Sequence, residues 1–69
     1  MRKMVVFTMT SGRRMAISAF DVKRVIQHEI RADRVIVVYI TWDSQDRGEQ
    51  TVTVCGTFDD VVSRIEEGH

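Results

Sequence analysis

Apolar and polar positions recur along this chain with two different periods, and each change of period marks an element. KMVVFTM, residues 3–9, is dense in β-branched and aromatic side chains and reads as a strand. Thr10-Ser11-Gly12-Arg13 is a turn, with Gly12 free to take a positive φ. RMAIS, residues 14–18, alternates Met15 and Ile17 with small or polar neighbours and completes a hairpin. The period then lengthens. Val22, Val25, Ile26 and Ile30 fall at i, i+3, i+4 and i+8, one stripe of a helix, so the spacing predicts a middle helix over 21–31 capped by Ser18 or Asp21. Arg24, Gln27, His28 and Arg31 lie on its opposite face.

RVIVVYITW, residues 34–42, is apolar on both faces of its alternation: Val35, Val37, Tyr39 and Thr41 on one, Ile36, Val38, Ile40 and Trp42 on the other. After the turn-rich DSQDRGEQ comes a strand at 50–56, in which Val52 and Val54 alternate with Thr51, Thr53 and Cys55. A helix over 58–67 closes the sequence. Thr57 is its N-cap, Asp59 and Asp60 suit the positive end of its dipole, and Phe58, Val61, Val62 and Ile65 form its buried stripe. Gly68 is its C-terminal stop. The expected fold is α+β: an antiparallel, twisted sheet of about four strands, residues 34–42 central, with the C-terminal helix across one face. The second face of 34–42 is then covered by the middle helix or by a second copy of the chain.

Sixty-nine residues make one domain, 1–69. A chain of this size buries only about 60% of the surface its unfolded form exposes, which makes a shared core attractive. The single cysteine, Cys55, allows no internal disulfide and points to a reducing, cytoplasmic setting; as a strand residue it reads as a packed thiol. The apolar run at the start, Met4 to Phe7, is shorter than a signal peptide requires, and no stretch approaches the roughly 20 apolar residues of a membrane span. Net charge is zero but divided. Residues 1–34 carry eight basic and three acidic side chains, +5, and residues 35–69 carry two basic and seven acidic, −5. The simplest account is that the two halves pair across a shared sheet.

Chemistry is sparse. Two histidines and one cysteine fall short of a zinc site, and the Asp43 tip lacks the ligands of a calcium loop at its third, fifth and twelfth positions. No glycine-rich phosphate loop occurs, and nothing in the spacing sets Cys55 beside His28. The expectation is therefore a non-enzymatic protein with no cofactor, metal or small-molecule substrate, and no membrane partner.

Binding residues are easier to nominate. Tyr39 and Trp42 belong to types enriched at interface centres. Asp43, Asp46 and Glu49 form an acidic rim beside them, joined by Glu66 and Glu67 if the last helix packs back along its strand. Such a cluster can imitate a phosphate track or occupy a basic groove, as a mobile-element inhibitor of anti-CRISPR-like type would. The partner is then a protein or a second copy, as a homodimer. The rival is a nucleic-acid-binding regulator using Arg13, Arg14, Lys23, Arg24 and Arg31, although no aromatic residue is interleaved with them for base stacking.

VVFTMTSG as strand and turn, RVIVVYI as middle strand and TVTVCGTFDDVVSRI as strand into capped helix resemble, in order and over nearly the whole chain, the FlbD/SwrD-type proteins of bacterial flagella and swarming. The chain departs from them in having Ser11-Gly12 where they usually have Asn-Gly, in a longer and more helical segment from Val22 to Ile30, and in its extended DSQDRGEQ tip. The resemblance implies a small bacterial or phage accessory protein with no catalytic residues to carry over.

Overall fold

A computed structural model describes residues 3–42 and 47–68. Five strands and one α-helix follow in order: β1 (Met4–Thr8), β2 (Arg14–Ser18), β3 (Val22–Gln27), β4 (Arg34–Trp42), β5 (Arg47–Cys55) and α1 (Phe58–Glu67). They form two antiparallel sheets, β1-β2 and β3-β4-β5. Gly12 takes the expected positive φ, 92°, in the turn between β1 and β2. The sheets meet where Met9 bridges Val54 and the Thr10 N–H donates to the Thr53 carbonyl at 3.4 Å.

The middle helix does not form. A short 3₁₀ turn, Ala19–Asp21, leads instead into strand β3. The reason lies in one extra residue. Val22 pairs with Tyr39 and Arg24 with Val38, so the register shifts at Lys23. A β-bulge of this kind sets two residues against one. It turns both Val22 and Val25 toward the core, three positions apart rather than two or four, and so imitates half a helical stripe. Ile26 and Ile30, which completed the stripe in sequence, are 46% and 84% exposed. The turn beyond β3 is held by His28, whose Nδ1 accepts from the N–H groups of Ile30 and Arg31.

The core lies on one face of β4. Val35 and Val37 are fully buried there, with Val54 from β5, Val5, Phe7 and Ile17 from the hairpin, Ala19, and Val61 and Ile65 from α1. The helix covers this face as expected, over the expected 58–67, with the Thr57 hydroxyl accepting from the Asp60 N–H at 3.3 Å. Gly68 follows it with φ −79°, so the stop is not a left-handed one.

Candidate functional site

The second face of the three-stranded sheet carries no helix. Directly paired residues share a face, and the register therefore groups Arg24 and Ile26 of β3, Ile36, Val38 and Ile40 of β4, and Glu49, Thr51 and Thr53 of β5. Charge crosses this face. The Lys23 ammonium donates to Glu49 Oε1 at 2.7 Å and the Arg24 guanidinium to Glu49 Oε2 at 3.3 Å. Arg24 stands opposite Val38 on one side of β4, and Glu49 opposite Ile40 on the other. Both bridges thus pass over β4, and their aliphatic stems roof the strand as long charged side chains do. Val38 beneath them is only 5% exposed. This strap, not a middle helix, crosses the centre of the face. Ile26 at its margin is exposed, and Ile36 and Ile40 are half-buried.

Glu49 is held below the usual glutamate range, first by the hydrogen bond from Lys23, then by the charges of Lys23 and Arg24 acting against partial desolvation. A depressed carboxyl stabilises the fold above its unfolded value of 4.5, and that contribution is lost as pH falls through the folded value. The bridges are exposed, so the effect is small and screened by salt. Glu49→Gln is expected to lower the melting temperature at pH 7, and the difference from wild type to vanish in acid and shrink in high salt. A difference that persists unchanged at pH 3 in thermal melts would show that the strap acts otherwise.

The strap also decides among the residues nominated from sequence. It joins the basic half to the acidic half, as the charge division suggested, and it takes Lys23, Arg24 and Glu49 at once. Arg31 pairs with Asp33 at 3.4 Å, leaving Arg13 and Arg14 at the hairpin turn exposed and without an ion pair among the described residues. Of the nominated acidic residues that are described, Glu49 stands apart from Glu66 and Glu67. Glu49 is on the outer face, whereas α1 packs on the inner one, where Glu67 lies beside Lys3 and Met4. Glu66 is exposed near the same end of α1. Asp43 and Asp46 lie outside the described residues. Tyr39 is half-buried against the core, on the inner face. Trp42 ends β4 opposite Arg47. Cys55 is an exposed free thiol, not a packed one, with Sγ 3.8 Å from the Met9 carbonyl.

Ile26, Ile36 and Ile40 were not nominated from sequence as binding residues. The signal for Ile36 and Ile40 was there, in the two-faced apolar pattern of 34–42, whereas the apparent helical stripe assigned Ile26 to a core.

No family model, curated protein or solved structure matches this chain. Among the described residues there is no group of three or more side chains able to hold a metal, and no helix long and apolar enough to cross a membrane.

Proposed function

We propose that this chain is a non-catalytic protein-interaction module that docks through the outer face of β3-β4-β5. One observation carries the reading: Ile26, Ile36 and Ile40 lie on a face that neither the helix nor the hairpin covers, beside the Lys23–Glu49–Arg24 strap that crosses it. Apolar side chains beside fixed charges have the layout of a binding patch, the isoleucines supplying desolvated contacts and the strap fixing orientation. The module acts by occupying a surface of a larger assembly, as expected of a small bacterial or phage accessory protein of the kind the FlbD/SwrD resemblance implies. An exposed, unpaired Cys55 fits a reducing, cytoplasmic setting.

The narrower form, an anti-CRISPR-like inhibitor with an acidic docking surface, finds less support. Glu49 is already neutralised by two cations, and Glu66 and Glu67 stand elsewhere. Nucleic-acid binding loses Lys23, Arg24 and Arg31 to ion pairs and rests on Arg13 and Arg14 alone.

Ile26→Lys and Ile36→Lys place a charge in the strip while leaving the inner core untouched. Each is expected to weaken capture of a partner by roughly tenfold or more, the scale of one interface anchor of about 2 kcal/mol. Cross-linking of the tagged chain in its source cells checks this, with thermal melts to confirm that the variants fold. A partner retained equally by both variants would overturn the reading. Light scattering over a tenfold concentration range identifies the case in which that partner is a second copy.

A further inference from the structure

The hairpin sheet leaves one edge of β1 open, and its hydrogen-bond phase shows which groups face that edge. The Ala19 N–H donates to the Lys3 carbonyl at 3.2 Å, and the Met9 N–H to the Arg13 carbonyl at 2.7 Å. Between those points the register runs without a shift from Met4↔Ser18 to Thr8↔Arg14. In an antiparallel pair, residues that exchange hydrogen bonds alternate with residues that do not. The odd residues of β1 are thus bonded to β2. The N–H and C=O groups of Met4 and Val6 point the other way, toward the open edge, whereas Thr8 stands opposite Cys55 in the register of the Met9–Val54 bridge. The same phase carries the Thr10 N–H to β5, where the edge closes. Past that point β5 ends at Cys55 and the chain turns into α1, leaving an open groove of about 310 Å3 with β1 from Lys3 to Val6 as one wall and Arg64 and Glu67 of α1, with Gly68 after it, as the other.

A strand edge beside a wall is the geometry of β-augmentation, in which backbone hydrogen bonds supply affinity and alternate side chains supply specificity. Charge chooses the ligand. The groove holds two cations, Lys3 and Arg64, against one carboxylate, Glu67, and none of the three is in an ion pair with a described residue. A residue set opposite Val5 in an added strand shares Val5's inner face, on which α1 and Arg64 stand. Its neighbours share the outer face with Val6 and the 57% exposed Met4, which suits β-branched side chains. By contrast, the open edge of β3 is guarded by the bulge at Lys23 and by Arg24, devices that discourage strand addition.

We propose that the β1 edge binds an extended segment of a partner protein as a third strand, with an acidic side chain opposite Val5 between two β-branched ones. This deepens the protein-interaction reading by adding a second site, on a different surface from the strip of Ile26, Ile36 and Ile40.

The probe is the acetylated, amidated pentapeptide Thr-Val-Glu-Val-Thr, titrated to millimolar concentration into the full, isotope-labelled chain and read amide by amide. The Met4 and Val6 amides are expected to shift and to exchange at least roughly fivefold more slowly with solvent, while the Val5 and Phe7 amides, already bonded to β2, change little. Lysine in place of the probe's glutamate is expected to weaken binding roughly tenfold, and Arg64→Gln to remove that preference. Unchanged Met4 and Val6 amides would overturn the proposal, as would equal binding of the lysine probe. Shifts confined to Ile26, Ile36 and Ile40 would overturn it while leaving the outer-face reading standing. Protection of Met4 and Val6 that rises with protein concentration alone would also overturn it, because a second copy would then occupy the edge.

Discussion

Alanine at position 7 is expected to leave this chain without a cooperative fold. Phe7 is 1% exposed and stands in β1, in the hairpin whose backbone, among the described residues, bonds to the other sheet around Met9 and Thr10. The rest of that joint is made by side chains, Phe7 with Val5 and Ile17 from one sheet against Val35, Val37 and Val54 from the other. The Arg64 guanidinium lies over the Phe7 ring, 5.9 Å from its centroid, so the same side chain also ties in α1. Truncating a buried phenylalanine to alanine costs about 3–5 kcal/mol. At roughly 0.05–0.15 kcal/mol per residue, a domain of this size has about 3–10 kcal/mol in all. The loss is therefore comparable to the total. Phe7→Leu, which keeps most of the volume, is expected to fold with a melting temperature about 5–10 °C lower. Circular dichroism melts of both variants check this. A cooperative Phe7→Ala transition within about 5 °C of wild type would mean that the hairpin is held by something other than its core face.

That joint also explains what could be read from the sequence and what could not. The hairpin, residues 34–42, the last strand and the capped helix are each specified locally, by alternation, by Gly12 at the turn and by Thr57 at the cap. β3 was not, because a bulge is a property of two paired strands. Val22 and Val25 face inward only through the register that Tyr39 and Val37 impose, and alone they have a helix's spacing. The β-branched density of Val22, Val25, Ile26 and Ile30 was the contrary signal, and periodicity outweighed it. A helix there makes its basic residues a solvated face and its isoleucines a core. The outer face disappeared from view with them. The strap was half legible. The charge division said that basic and acidic halves would pair, but only the register brings Lys23 and Arg24 within reach of Glu49. The β1 edge was not legible at all, since it depends on where β5 leaves β1 and where α1 ends.

Gly68 makes the same point about packing, and a cycle of substitutions tests it. By position it reads as a helix stop chosen for a left-handed φ, yet its φ is −79°, open to any residue. What it lacks is space. A Cβ added there would lie 2.8 Å from the Ala19 Cβ and 3.2 Å from Val5 Cγ2, where Gly68 and Ala19 let the end of α1 close onto the hairpin. Gly68→Ala is expected to destabilise the fold by about 1–3 kcal/mol through overpacking, a drop of roughly 5–15 °C. If contact with Ala19 is the cause, Ala19→Gly must relieve it. Alone, that change costs stability by emptying a fully buried site and loosening the backbone. Combined with Gly68→Ala, it is expected to cost less than the sum of the two by about 1 kcal/mol, with Val5 keeping the rescue partial. Urea titrations of the four proteins measure that coupling. Strict additivity would mean that the glycine is kept for the chain's path after α1, whereas a positive coupling shows that the helix is fastened to the hairpin by the absence of one methyl group.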